Sequence, residues 1–177
     1  MTTGGHIHGD HPFMTVPEER DPIRQLRGRL ASAVTVFTSG SGSDLAGLTI
    51  SSVMIAEGDP PRVVALVNDA TDLRDALELT ERFVLHVLER GDEHLSEEFA
   101  GLRPRPGGVF SDRQTSQSHW GPVLVEESTR ASCTVERMEP LDGMVLLVAR
   151  IDRVELGDVA SPLVYFRGAY RRLIDDR

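Results

Sequence analysis

The sequence predicts a mainly β protein, a closed barrel of six or seven short antiparallel strands with two or three short helices. Short runs rich in β-branched and aromatic residues recur along the chain, and Gly, Pro, Asn and Asp turns separate them. The C-terminal third alternates apolar and polar residues with a period of two. Neither a GxGxxG nor a Walker-type loop occurs, so the pattern does not favour a doubly wound nucleotide-binding sheet.

The chain has 177 residues, enough for one domain with a sizeable core. Residues 1–18 hold three glycines, two prolines, three histidines and few apolar side chains. Such a segment buries too little apolar surface to offset the entropy of ordering, so we expect a disordered tail followed by one domain over 19–177. His6, His8 and His11 could chelate a metal, but no carboxylate or cysteine framework completes a site, and no metal is expected.

Charge and composition exclude several classes of partner. The net charge of −9 disfavours nucleic acid, because phosphate binding needs a basic surface. No apolar run is long enough to span a bilayer, and no signal-peptide core is present, so no membrane association is expected. Cys133 is the only cysteine and excludes an intrachain disulfide. The sequence therefore predicts a cytoplasmic protein.

The first third of the chain predicts a helix and three strands. A short helix starts at Pro22, with Asp21 as its N-cap. Residues 34–38 form a strand, and a GSGSD turn lets 45–54 pair back as the second strand of a hairpin. The apolar run 62–67 suits a central strand covered on both faces.

The middle of the chain predicts two helices that flank a strand. The first helix begins at Thr71, whose hydroxyl caps a free backbone N–H. Strand 83–88 contains His86, which we interpret as half-buried and hydrogen-bonded rather than as a base. The second helix covers 92–102 and turns Leu95, Phe99 and Leu102 inward.

The last third predicts a long loop and three strands. Residues 103–122 hold three prolines, three glycines and Trp120, and we expect an irregular segment that acts as a lid or a partner-binding element. The strands follow at 132–138, 144–154 and 163–173, separated by Pro- and Gly-containing turns.

Small polar residues gather at the ends of two predicted strands. Thr49, Ser51 and Ser52 offer hydroxyls and backbone N–H groups, and Asn68 with Asp69 ends the neighbouring strand. The following helix start, with Arg74 in its first turn, suits an anion because its backbone N–H groups are free. A flat ligand with a polar edge and a phosphate fits these groups. The alternative is structural: Ser and Thr form turns, Thr71 only caps, and Arg74 pairs with Glu78.

Seven motifs over 22–173 resemble the flavin reductase family of FMN-binding split β-barrels, which have Greek-key topology. They occur in the family's order: VTVFTS, GLTISS, PPRVVALVN, TxxR, RFVLHVL, EEFAGL and PLVYFRGAYR. Each motif alone is weak, and their order over most of the chain carries the resemblance. It implies that Thr49, Ile50, Ser51, Ser52, Asn68 and Asp69 line the flavin; that Thr71, Leu73 and Arg74 lie near its phosphate; that Phe99 and Ala100 lie near its tail; and that Tyr165, Gly168 and Tyr170 face the nicotinamide.

Some of these residues could equally have a purely structural role. Tyr165 and Tyr170 could simply pack the barrel, and Trp120 could cover the flavin ring, anchor the loop or contact a second subunit. Relatives commonly carry a histidine in a Gly-Asp-His turn where this chain has Met144. The nicotinamide side is therefore the part of the resemblance that departs from the family pattern.

The resemblance implies an NAD(P)H:flavin oxidoreductase that uses FMN or FAD with NADH or NADPH. It also implies a homodimer and a monooxygenase partner that receives reduced flavin. The cofactor carries the hydride chemistry, so no catalytic side chain is expected. Two alternatives remain: a non-catalytic FMN-binding protein of the same fold, and an interaction domain whose 103–122 loop contacts a partner.

Overall fold

A computed structural model of the chain describes residues 21–158 and 161–173. The tail predicted over 1–18, including His6, His8 and His11, lies outside the described residues. The helices are α1 (Pro22–Gly28), α2 (Asp72–Thr80) and α3 (Glu93–Phe99). The strands are β1 (Ser32–Ala33), β2 (Thr35–Ser39), β3 (Ala46–Ile50), β4 (Val53–Ala56), β5 (Arg62–Asn68), β6 (Arg82–Val87), β7 (Thr115–Gln117), β8 (Pro122–Leu124), β9 (Arg130–Leu141), β10 (Met144–Glu155), β11 (Val164–Phe166) and β12 (Ala169–Arg171).

Seven antiparallel strands form the main sheet, in the order β3-β2-β6-β9-β10-β5-β4. The two edge strands are consecutive in the chain and are joined only by Ser51 and Ser52. The Leu66 N–H donates to the Ser52 carbonyl at 3.1 Å, which extends the β4-β5 pairing up to this link. Because the link has only two residues, the sheet must curl to bring its two edges together. Two small sheets, β1-β11-β12 and β7-β8, complete the described structure.

The mainly β fold class is confirmed, with three helices and seven strands in the main antiparallel sheet. Two predicted strands were wrong as single elements. Residues 45–54 break at Ser51, because β3 pairs with β2 whereas β4 pairs with β5 at the other edge. Residues 163–173 fold into the β11-β12 hairpin, whose turn residues Arg167 and Gly168 have φ of 50° and 79°.

Strand β5 lies inside the sheet, but only one of its faces is buried. Val63, Ala65 and Val67 are buried, whereas Val64 and Leu66 on the other face are half-buried. The prediction that both faces are covered was wrong, because the core shared with α2 covers only the face of Val63, Ala65 and Val67, and the main contacts of α3 with the sheet are to β2 and β3.

The predictions for 92–102 and 103–122 need correction. Helix α3 ends at Phe99, and Gly101 follows with φ of 70°, so Leu102 leaves the helical face and is 56% exposed. Loop 103–122 is not wholly irregular, since β7 forms within it and pairs with β8. Glu98 of α3 binds both Arg105 and Arg113, and these ion pairs fasten the loop to the helix.

The apolar core is divided by the main sheet. Inside the barrel, the Phe37 and Phe83 rings stack at 4.7 Å, and Leu73 and Leu77 of α2 close the barrel against them. A second cluster lies outside the sheet and holds α3 in place through Phe99. Within 21–158 and 161–173, no helix is both long and apolar enough to cross a membrane.

Candidate functional site

Ser51 and Ser52 form a corner where the two sheet edges meet. The Ser52 hydroxyl donates to the Leu66 carbonyl at 2.8 Å, so this hydroxyl fastens the corner to β5. Ser51 is exposed, and its hydroxyl forms no hydrogen bond within the part of the chain that the structure describes. Of the two predicted serines, Ser51 therefore has its hydroxyl available to a ligand.

The end of β5 lies beside the start of β10. Asn68 is opposite Met144 in the strand register, and the Asp69 N–H donates to the Gly143 carbonyl at 3.3 Å. The Asn68 Oδ1 accepts from the Ala70 N–H at 2.9 Å, which leaves the amide NH₂ of Asn68 as a donor at the surface. Met144 thus borders the predicted flavin residues directly.

Helix α2 starts with the predicted cap and carries a half-buried cation. Thr71 accepts from the Arg74 N–H at 3.4 Å and donates from its hydroxyl to the Asn68 carbonyl at 2.8 Å. The Arg74 Nε is buried and has no hydrogen-bond partner among the described residues. The hydrogen bond that the Arg74 guanidinium donates to Asp75 and the charge of Glu78 raise the pKa of Arg74, which stays cationic.

The ion pair between Arg74 and Glu78 that the structural alternative predicted is present. The Arg74 guanidinium contacts Glu78 at 2.8 and 3.0 Å and Asp75 at 3.0 Å. Leu73, the neighbouring predicted site residue, is 1% exposed and packs into the core, as Ile50 does at 3%. These two side chains support the site from beneath, and neither residue reaches the surface.

Helix α3 contacts the outer face of β3 through Ser96, which sequence reasoning missed. The Thr49 hydroxyl donates to the Ser96 carbonyl at 2.7 Å, and the Tyr170 hydroxyl donates to the Ser96 Oγ at 2.9 Å. Ser96 is 1% exposed. One buried residue of α3 therefore links a predicted flavin residue to a predicted nicotinamide residue.

Gly47 explains how α3 approaches β3 so closely. A Cβ at this position would lie 2.4 Å from the Phe99 Cε1 and 3.2 Å from the Phe110 Cζ. The glycine of the GLTISS motif is the one sequence signal that could have pointed to this contact. Ala100 follows Phe99 at the C-terminal end of α3 and is exposed, whereas the Phe99 side chain is fully packed.

The tyrosines of the β11-β12 hairpin pack against each other. The Tyr165 and Tyr170 rings meet edge to face at 5.3 Å and lie against the second core cluster. Burial raises the pKa of both hydroxyls, so both stay neutral at physiological pH. The packing interpretation of these residues is supported, and Gly168 is required by the positive φ of the hairpin turn.

Trp120 and His86 serve as anchors. The Trp120 Nε1 donates to the Asp152 Oδ2 at 2.9 Å, which fastens the loop to β10. His86 is fully buried rather than half-buried; its Nδ1 lies 3.2 Å from the Val36 carbonyl, and its Nε2 accepts from the Leu124 N–H at 3.1 Å. Burial lowers the pKa of His86 to about 4, so the imidazole is neutral and structural.

The hydrogen bond between Tyr170 and Ser96 gives a prediction for stability. Ser96→Ala is expected to cost about 1–2 kcal/mol, because it leaves the half-buried Tyr170 hydroxyl without an acceptor. Tyr170→Phe removes the same bond, so the double variant should lose less than the sum of the two single losses. Urea denaturation of the three variants measures this coupling. Strictly additive losses would show that the bond contributes nothing of its own.

The sequence profile described as "Flavin reductase like domain" matches residues 27–173. This span includes every predicted site residue and most of the chain. The chain belongs to the flavin reductase family. The predicted resemblance is therefore confirmed at the level of the family.

Curated relatives of this flavin reductase family member match it over nearly their whole length. The reductase component of 4-hydroxyphenylacetate 3-monooxygenase from Thermus thermophilus is 30% identical over 88% of this chain and 97% of its own. The NADH-dependent FMN reductase AsuE2 from Streptomyces nodosus subsp. asukaensis is 31% identical over 98% of this chain and 93% of its own.

Solved structures of flavin reductases share the fold. Flavin reductase PheA2 superposes with a TM-score of 0.78 at 22% identity, covering 86% of this chain and 97% of its own. The Streptomyces globisporus NADH:FAD oxidoreductase SgcE6, in a complex with NAD and FAD fragments, gives a TM-score of 0.79 at 21% identity, covering 92% and 97%. At these identities the likeness establishes the architecture.

Proposed function

We propose that this flavin reductase family member is an NAD(P)H:flavin oxidoreductase that binds FMN, or FAD, and supplies reduced flavin to a partner monooxygenase. The observation that carries the proposal is the family match over residues 27–173, which includes the corner and both flanking helices. The relatives support it, since they are an FMN reductase and a monooxygenase reductase component at 31% and 30% identity.

The described residues fit a flavin. The Ser51 hydroxyl and the Asn68 amide are exposed donors at the corner, suited to the polar edge of the ring system. The orphaned Arg74 Nε lies in the first turn of α2, where the helix dipole favours a phosphate. Ser51, Ser52, Asn68 and Asp69 would hold the ring system, and Thr71 with Arg74 would hold the phosphate end.

When bound, flavin and nicotinamide would supply the hydride chemistry, and the protein would position them and exclude water. Two buried groups that could otherwise titrate or react agree with that division of roles. His86 is buried and neutral, and burial raises the pKa of Cys133 to about 12, so neither serves as a base or nucleophile at physiological pH. Ser96 fixes α3 against Thr49 and Tyr170 and would keep the two faces of the site in register.

The decisive experiment is NAD(P)H oxidation by purified protein with FMN, FAD or neither. Flavin-dependent turnover is the expected result, and the rates with each nucleotide would rank FMN against FAD and NADH against NADPH. No flavin binding and no turnover with any pair would overturn the proposal.

Arg74→Ala is expected to weaken FMN binding by about five- to tenfold and to leave riboflavin binding nearly unchanged, because only FMN carries a phosphate. Arg74→Lys keeps the charge but loses Nε, so it should fall between wild type and Arg74→Ala. Fluorescence titration of both flavins measures these affinities. Equal losses for FMN and riboflavin would remove Arg74 from the phosphate site.

A second candidate is a non-catalytic FMN-binding protein, and Met144 favours it. This residue borders Asn68 at the place where the family resemblance implies a histidine. Tight flavin retention without NAD(P)H oxidation would support this candidate, and Met144→His would then be the variant to assay for gained turnover. Homodimerisation and a cytoplasmic location complete the main proposal, and the buried single thiol Cys133 is compatible with a reducing compartment.

A further inference from the structure

The cation of the predicted phosphate site is held by acidic residues of its own helix. Glu78 contacts both terminal nitrogens of the Arg74 guanidinium, at 2.8 and 3.0 Å, in a bidentate pair one helical turn away. Asp75 contacts only one of them, at 3.0 Å. The Nε, buried and without a partner, is the one guanidinium nitrogen that these carboxylates leave unused.

The charge of α2 opposes that of a phosphate. The helix carries Asp72, Asp75 and Glu78, and Arg74 is its one cation. Asp69, which precedes the helix, also acts electrostatically on Arg74. A phosphate that approaches this helix end therefore meets a guanidinium that carboxylates already pair.

We propose that Glu78 sets how strongly the site distinguishes phosphorylated flavins from riboflavin, by occupying the Arg74 nitrogens that a phosphate would otherwise take. This inference rests on the proposed function and deepens it. A site that held the phosphate with an unopposed arginine would retain FMN tightly. A site in which Glu78 competes releases flavin readily, as a protein that passes reduced flavin to a partner must do.

The exposure of the ion pair sets the size of the effect. The Glu78 side chain is 59% exposed and that of Arg74 31%, so solvent screens their attraction. Exposed i,i+4 pairs change an equilibrium constant by only about twofold. A phosphate carries more charge than one carboxylate and can displace Glu78, so Glu78 tunes the affinity rather than blocking the site.

The test compares Glu78→Gln with Glu81→Gln. Glu81 lies just after α2, is exposed, and makes no contact with Arg74. Its substitution removes the same charge from the same helix region. The measured quantity is the ratio of the riboflavin Kd to the FMN Kd, from fluorescence titrations at low ionic strength. We expect Glu78→Gln to raise this ratio about twofold and Glu81→Gln to leave it within experimental error.

The outcomes separate this inference from the proposed function. An unchanged or lower ratio in Glu78→Gln, or an equal rise in Glu81→Gln, overturns the role of Glu78 while flavin binding itself persists. Wild-type protein that binds neither flavin overturns both. The double variant Glu78→Gln with Arg74→Ala should have the same ratio as Arg74→Ala alone, because Glu78 acts through Arg74. A ratio in the double variant above that of Arg74→Ala would contradict the inference.

Discussion

When the pH falls from 7 to 4.5, the unfolding free energy of the Glu127→Gln variant is expected to decrease by about 2 kcal/mol relative to that of wild type. His86→Gln is expected to gain about the same amount over the same range. The two groups act in opposite directions and largely cancel in the wild-type protein. Each variant removes one titrating group, so its stability then changes with pH according to the other group.

The direction for His86 follows from its lowered pKa. The folded state holds the imidazole neutral with a pKa of about 4, against an ordinary value of 6.5. Between these values the unfolded chain binds more protons than the folded one. The contribution of His86 is therefore fully present above pH 6.5 and is lost as the pH falls towards 4. A glutamine does not titrate and removes this loss.

Glu127 acts in the opposite sense. It is 3% exposed, and burial together with the charges of Asp92, Glu89 and Glu126 raises the pKa of its carboxyl to about 7, while Arg113 opposes the shift. The folded state therefore binds more protons than the unfolded chain between about pH 4.5 and 7. Its contribution is fully present below pH 4.5 and is lost as the pH rises through 7.

Urea denaturation of the wild type and both variants at pH 7 and pH 4.5 measures these contributions. Only the change in unfolding free energy between the two pH values is compared, so the fixed cost of each substitution cancels. Parallel pH dependence in all three proteins would contradict both assignments. A change in His86→Gln alone would show that Glu127 titrates normally in the folded state.

Local signals in the sequence predicted local structure correctly. The N-caps Asp21 and Thr71 accept from backbone N–H groups two and three residues ahead, so the pattern that defines them lies within a few positions. The strands around Phe83 and the β9-β10 hairpin were also predicted, because their apolar pattern and turn residues are contiguous. The family resemblance then supplied the overall fold.

The failures concern properties that depend on distant residues. The run 45–54 is strand-like throughout, and only the partners of β3 and β4 reveal that Ser51 separates them. Arg167 is not a typical residue for a positive φ, so the β11-β12 turn left little trace in the sequence. Ser96 bonds Thr49 and Tyr170, which lie 47 and 74 positions away, and no local pattern predicts such a contact.

Gly47→Ala is expected to destabilise the protein by about 2–3 kcal/mol and to weaken flavin binding, because it forces α3 away from β3. The new Cβ would lie 2.4 Å from the Phe99 Cε1 and 2.7 Å from its Cδ1. Phe99 is 2% exposed, with the Phe110 ring at 5.4 Å and the Arg113 guanidinium at 5.5 Å, so its ring has no free space into which to rotate.

A displaced α3 would also strain the bond between Thr49 and Ser96, which is why the flavin affinity should fall with the stability. Phe99→Leu removes the atoms that clash, so the double variant Gly47→Ala with Phe99→Leu should lose less stability than the sum of the single losses. Gly28→Ala is the matched control, since its nearest atom would be 3.9 Å away, and it should change stability by no more than about 0.5 kcal/mol. Urea denaturation and flavin titration of these variants distinguish the outcomes. A Gly47→Ala protein as stable as the control would show that β3 and α3 separate freely. The close contact would then have no part in forming the site.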